Sequence, residues 1–204
     1  MNFVTSDTHF FDANLMTHPH FAPLRIDFVD VNDMNETIIE SWNQVVSTED
    51  TVYHLGDIGV FYENGNKEKM LEILNRLNGQ LVLIKGNHDS RDFFKFLEKN
   101  NYEVTKGNLK FSFEDVGSYF KYNHHQFYLT HYPLMLGINE NIINLHGHIH
   151  NYAVDIKDNI NVGIDSKDFD YFFKDDKPKF GAPIDMSQVD FLIKAKLEDF
   201  AKRR

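Results

Sequence analysis

The chain has 204 residues, 42% of them hydrophobic and 25% charged, with 31 acidic against 21 basic side chains and no cysteine. That length accommodates one domain (1–204) with a core of its own, and the composition is that of a folded globular chain. A net charge of −10 disfavours a general nucleic-acid platform, the lack of cysteine removes disulfides and thiolate metal sites, and no apolar run approaches the roughly 20 residues that span a bilayer.

The chain opens on Phe3-Val4, a β-prone run leading to Asp7 and His9, whose i, i+2 spacing shares one face if the chain stays extended. A loop over 10–31 follows, with Pro19 and Pro23. Asn32-Asp33 offers an N-cap with Glu36 placed as in a capping box, and Met34, Ile38, Trp42 and Val45 fall at helical spacing, predicting a helix over 33–46. Thr51 to Leu55 reads as a short strand, 67–77 as a helix with Met70, Ile73, Leu74 and Leu77 inward, and Leu81 to Ile84 as a strand covered on both faces. A helix over 90–99 comes next.

From Tyr102 onward the pattern turns to short strands: Phe111 to Phe113, Ser118 to Tyr122, Gln126 to Thr130, Ile142 to Leu145 and Asn159 to Gly163. Asn123-His124-His125 marks a turn, 164–182 reads as a loop, and Ser187 is placed to cap a final helix. Strand–helix alternation followed by β-rich chain predicts an α/β fold with helices outside two stacked sheets.

Five of these strands end on polar residues of one chemical kind. They are Asp7-Thr8-His9, Gly56-Asp57, Gly86-Asn87-His88-Asp89, His131, and Gly147-His148-Ile149-His150. In open α/β sheets ligands bind at the carboxyl ends of strands. Carboxylate, imidazole and amide without sulfur suit Mn²⁺, Fe or Zn²⁺ better than Ca²⁺ or Cu(I). About seven donors exceed one tetrahedral ion and match two ions sharing a carboxylate, the apparatus for in-line displacement at phosphorus.

The ordered set DTH, GD, GNHD, H and GHIH resembles the signature of the calcineurin-like metallophosphoesterase superfamily, and DMNETIIESWNQVV before TVYHLGD is similar to its small bacterial and phage members. The resemblance runs from residue 7 to residue 150. It implies a four-layer α/β sandwich, two stacked mixed sheets flanked by helices. It also implies two divalent ions (Mn²⁺, Fe²⁺/Fe³⁺, Zn²⁺ or Ni²⁺), one held by Asp7, His9, Asp57 and His150, the other by Asp57, Asn87, His131 and His148. His88 would protonate the leaving group, Asp89 would orient it or cap the next helix, and a metal-bound hydroxide would attack phosphorus.

The expectation is a metal-dependent phosphoric ester hydrolase, foremost a phosphodiesterase. Its substrate would be a small-molecule phosphate ester, with no membrane and no stable nucleic-acid partner. Two rivals are a metal-binding interaction module on the same fold and a nuclease or nucleotide hydrolase. After Asp57 the chain lacks the Asp-Arg-Gly continuation of the Ser/Thr protein phosphatase branch, which argues against phosphoprotein substrates. With no basic segment leading an apolar one at the start, no export signal is read and the cytoplasm is the default compartment. His54 and His146 are expected in the core or behind the site, His18 and His20 in a solvated loop. Phe169, Tyr171, Phe172 and Phe173 are read as loop packing. Asn161 and Asp165 lie near the last strand with no spacing to decide their role.

Overall fold

The computed structural model describes residues 1–60, 66–137 and 141–203. Its strands are β1 (Asn2–Thr5), β2 (Thr51–His54), β3 (Gln80–Ile84), a hairpin of β4 (Glu103–Thr105) and β5 (Asn108–Leu109), β6 (Phe111–Glu114), β7 (Gly117–Tyr122), β8 (His125–Thr130), β9 (Ile142–His146), β10 (Asn159–Asn161) and β11 (Ile184–Asp185). The helices are α1 (Val31–Val45), α2 (Asn66–Arg76), α3 (Arg91–Lys99) and α4 (Met186–Lys202).

One sheet runs β11-β1-β2-β3-β6, with β11 antiparallel on its edge and the rest parallel. The other runs β10-β9-β8-β7, parallel except for β7. Both are mixed, as the fold class requires.

Side chains alternate across a strand, so the first sheet feeds two cores. Phe3, Val52, Leu81, Leu83 and Phe111 point to one face, where Met34, Ile38 and Trp42 of α1, Ile73 and Leu74 of α2, and Phe93 and Leu97 of α3 cover them. Val4, Leu55, Ile84 and Ile184 point the other way, against Phe127, Leu129, Ile143, Leu145 and Ile160 of the second sheet. Val189, Leu192 and Ile193 of α4 complete that second core. The sheets therefore stack, and the parallel strands β1, β2, β3, β8 and β9 deliver their carboxyl ends to one region. Among the described residues no helix is long and apolar enough to cross a membrane.

The local signals differ from expectation mainly at caps. Asp30, not Asn32-Asp33, caps α1 by accepting from the backbone N–H of Asn32 and Asp33, and Glu36 instead grips Arg76 through both carboxylate oxygens. Asp185, not Ser187, caps α4 and forms a capping box with Gln188. Both true caps precede the first apolar residue of their helix by one position, where Asp is as good a cap as Asn or Ser. Asn123 and His124 take left-handed φ values of 44° and 68° between β7 and β8, the two-residue turn that matches strand twist. Within 164–182, Lys167–Tyr171 forms a short 3₁₀ helix capped by Ser166, burying Phe169 and Phe172 in the second core while Phe173 stays exposed.

Candidate metal centre

The first sheet's strand β1 stops at Thr5, and Asp7 and His9 lie beyond it in left-handed backbone, with φ 58° and 47°. Their shared face therefore comes from a contorted exit, not from extended chain. Asp57, His148 and His150 repeat this conformation at 55°, 73° and 47°. Non-glycine residues with positive φ are uncommon, cost of order 1–3 kcal/mol each, and cluster where function holds them. Here five of the seven expected ligands share the state, and neighbouring chain pins them. Asp7 N–H donates to Gly56 O (3.0 Å) and His9 N–H to Asp57 O (3.1 Å), while the Asp7 carboxylate accepts from His148 N–H at 3.0 and 3.1 Å.

Two glycines allow this crowding. A Cβ on Gly86 would stand 2.2 Å from Asp57 Oδ1, and one on Gly147 would stand 2.0 Å from Ser6 Oγ and 2.2 Å from Asp7 Oδ2. Only hydrogen fits at either place.

The donor atoms fall into two groups. Those of Asp7, His9 and His150 all lie within 4.8 Å of one another, as do those of Asp57, His131 and His148. Asp57 Oδ2 stands between the groups, 3.5 Å from His9 Nε2 and 3.3 Å from His131 Nε2. Asn87 Oδ1 joins the second group at 2.8 Å from His131 Nε2. The structure thus brings together Asp7, His9, Asp57, Asn87, His131, His148 and His150 from five separated segments.

His9 Nδ1 is held by Asp12 Oδ2 at 3.1 Å, and among the described residues its buried Nε2 has no hydrogen-bond partner although it faces Asp57. Such orphaned buried atoms are rare. His131 has Leu55 O 2.9 Å from Nδ1 and Asn87 Oδ1 2.8 Å from Nε2, two acceptors for a ring that has one proton when neutral. With Nδ1–H given to the carbonyl, Nε2 presents a lone pair to further oxygens. A cation resolves both conflicts, so these residues fit a pair of metal ions.

The electrostatics agree. Burial pushes the His9 imidazolium down, yet Asp12 and Asp57 outweigh it and hold the ring up at about 9. Burial likewise opposes ionisation of Asp57, but His131 and His9 keep it well below the ordinary carboxylate range. Both shifts express a demand for positive charge beside Asp57, which a divalent ion would supply.

Other residues depart from their expected roles. The Asp89 carboxylate accepts from the backbone N–H of Gly86 (2.9 Å), Asp57 (2.9 Å) and Ile58 (3.0 Å). It does not cap α3, which Ser90 does through Phe93 N–H. Asp89 instead ties the β3 exit to the β2 exit. His88 donates its backbone N–H to Asp57 Oδ1 (2.8 Å) and presents its ring, 5.2 Å from that of His9, to solvent.

Buried His54 accepts from Gly56 N–H at Nδ1 and meets Thr8 Oγ1 at Nε2, a neutral ring supporting both exits. His146 is also buried, and burial pushes it down to about 4. His18 is not merely a solvated loop residue. It lines a cavity of about 360 Å³ together with His9, Asn87, His88, His148 and His150. A second cavity of about 660 Å³, lined in part by Phe11, Asn32 and Lys69, shares Asp12, Asn14 and His88 with it.

Sequence reasoning missed Asp12, although His9-x-x-Asp12 is a spacing that a turn brings together. It also missed Arg25, for which no local signal exists. Asn161 and Asp165, left undecided, both support the site: Asn161 Nδ2 donates to His150 O at 2.8 Å, and Asp165 Oδ2 holds His150 Nδ1 at 3.1 Å.

The fold and site define an α/β protein with two adjoining cation-type donor sets at the carboxyl ends of stacked sheets. The family model described as calcineurin-like phosphoesterase matches residues 3–193, and the chain belongs to that family of hydrolases that use divalent metals. It is 33% identical over 137 residues to uncharacterized protein MJ1445 of Methanocaldococcus jannaschii, covering 65% of this chain and 74% of that one. Among solved structures, the protein of unknown function AQ665 from Aquifex aeolicus aligns with TM-score 0.63 at 23% identity, over 94% of this chain and 98% of its own, a likeness of fold. Yfce, a phosphoesterase from E. coli, aligns at TM-score 0.41 and 15% identity over 81% of this chain and 79% of its own, too distantly to carry an argument.

Proposed function

We propose that this protein hydrolyses phosphate esters, diesters foremost, with Asp7, His9, Asp57 and His150 holding one divalent ion and Asp57, Asn87, His131 and His148 a second. One observation carries the reading: a single oxygen, Asp57 Oδ2, lies 3.5 and 3.3 Å from two imidazole nitrogens of different donor sets, the place of a bridging carboxylate. Two divalent ions supply Lewis acidity at phosphorus and water activated near neutral pH. The chain supplies the rest. Asp12, Leu55 O and Asp165 hold the outer nitrogens of His9, His131 and His150, so each ring offers its Nε2 lone pair inward. His88, on the wall shared by both cavities, gives a proton to the departing oxygen, worth ~10²–10⁴-fold for a positioned acid.

The cleft suits a small ester, and the acidic surface disfavours a polymeric polyanion; weak, salt-insensitive DNA and RNA binding is the expected check. A chain without cysteine is at ease in the cytoplasm, where we place its action.

The test is turnover of an aryl phosphodiester by Mn²⁺-, Zn²⁺- or Ni²⁺-loaded protein. Asp57→Asn should lower both metal loading and turnover; unchanged activity in that variant refutes the mechanism. His88→Ala should keep its ions and lose most rate on poor leaving groups. An equal loss on all leaving groups removes His88 from the acid's role.

A further inference from the structure

Arg25 sits in the loop between β1 and α1, and both it and Asp165 have side chains with no exposed surface. A buried guanidinium costs several kcal/mol to desolvate unless every donor finds a partner in good geometry. Arg25 Nε donates to Asp165 Oδ2 at 2.8 Å, Nη1 to Thr8 O at 3.0 Å and Nη2 to Asp7 O at 2.5 Å. Those carbonyls belong to the successive residues Asp7 and Thr8, and the residues that flank Thr8, Asp7 and His9, are left-handed. The same Asp165 oxygen holds His150 Nδ1 at 3.1 Å. One ion pair thus bonds directly to Asp7, to Thr8, which precedes His9, and to His150, and so touches each segment of the first donor set.

We propose that Arg25 and Asp165 are positioning residues for that set and not for the other. Arg25 fixes the strained Asp7-Thr8-His9 backbone by its carbonyls. Asp165 accepts the hydrogen bond from His150 Nδ1–H, which leaves the Nε2 lone pair for the ion. Neither side chain touches substrate or ion. A lysine cannot substitute, because it presents a point charge where a planar fork spans two carbonyls and a carboxylate. The pair also ties the site to its cavity wall. Arg25 N–H donates to Ala22 O, the adjoining Phe21 accepts from Asn151 N–H, and the Phe21 ring lies 4.2 Å from that of His150.

The inference rests on the two-ion reading, and the experiment separates their failures. Calorimetric titration of chelator-treated wild-type protein with Mn²⁺ should resolve two equivalents; none at all defeats the proposed function itself. Arg25→Lys and the isosteric Asp165→Asn should weaken one equivalent by about 10–100-fold and leave the other unchanged. Two equivalents of wild-type affinity, or equal weakening of both, overturns the inference while the function stands. Long-range ¹H–¹⁵N correlation on the chelator-treated wild type, which depends on no variant's folding, should show His150 as the Nδ1–H tautomer. The Nε2–H tautomer would overturn the proposal.

Discussion

Gly147→Ala is the sharpest perturbation the site offers, because a single methyl would act on a ligand from behind. The added Cβ would stand 2.0 Å from Ser6 Oγ, 2.2 Å from Asp7 Oδ2 and 2.6 Å from Ser6 Cβ, against ordinary carbon contacts of about 3.5 Å. Ser6 has no room to retreat, being fully buried with its backbone O bonded to Ile164 N–H. Asp7 must therefore yield by about 1 Å, whereas a metal ligand has to keep its distance within about 0.2 Å. Two consequences follow in different observables. Overpacking should cost ~1–3 kcal/mol of stability, read as the urea midpoint of chelator-treated protein. Loss of Asp7 as a ligand should lower affinity for the first ion at least as far as the 10–100-fold typical when only a supporting residue is lost. Gly107→Ala is the control: its Cβ would meet nothing within 4 Å, so at φ 83° it should cost stability through backbone strain alone and leave metal affinity unchanged. A Gly147→Ala protein that binds two equivalents of Mn²⁺ with wild-type affinity would show that Asp7 is not a ligand.

Asp12→Asn removes the carboxylate that holds His9 Nδ1 at 3.1 Å; Mn²⁺ affinity at the first site should fall about tenfold in calorimetry, with the fold intact by circular dichroism. His54 is pushed from 6.5 to about 3, chiefly by burial, so between those values the unfolded chain takes up a proton that the folded one refuses. Stability is therefore lost as pH falls through that window, by about 2–3 kcal/mol from this residue between pH 7 and 4.5. Urea titrations of wild type and His54→Gln should differ by that much in their pH dependence; parallel curves would contradict it. Trp42→Ala empties a fully buried place in the first core and orphans Asn78 O, which accepts Nε1–H at 3.1 Å. It should cost ~3–5 kcal/mol in urea unfolding and leave the metal stoichiometry of the folded protein unchanged.

What the sequence determined by itself was local or periodic. Alternation and helical spacing decide which face of each element is apolar, because burial of that face is what makes the element form. The polar residues at five strand ends, in that order, carry the resemblance to the calcineurin-like phosphoesterases, because each motif is short and local. Cap positions were legible only to within two residues, because Asp30 and Asn32, or Asp185 and Ser187, are chemically equivalent candidates that differ only in where the chain enters the helix.

The tertiary structure alone decided how the donors converge and what holds them. Left-handed backbone at Asp7, His9, Asp57, His148 and His150 is not a preference of those residues; bonds across 50 to 141 positions impose it. Asp89 adjoins His88 in sequence, but only the fold brings three amides from two strand exits onto its carboxylate. Arg25 and Asp165 lie 140 residues apart and match no motif, so their pairing existed nowhere in the linear order. Sequence specifies composition and period, which act over a few residues; a buried charge finds its partners only when the sheets stack and exclude water.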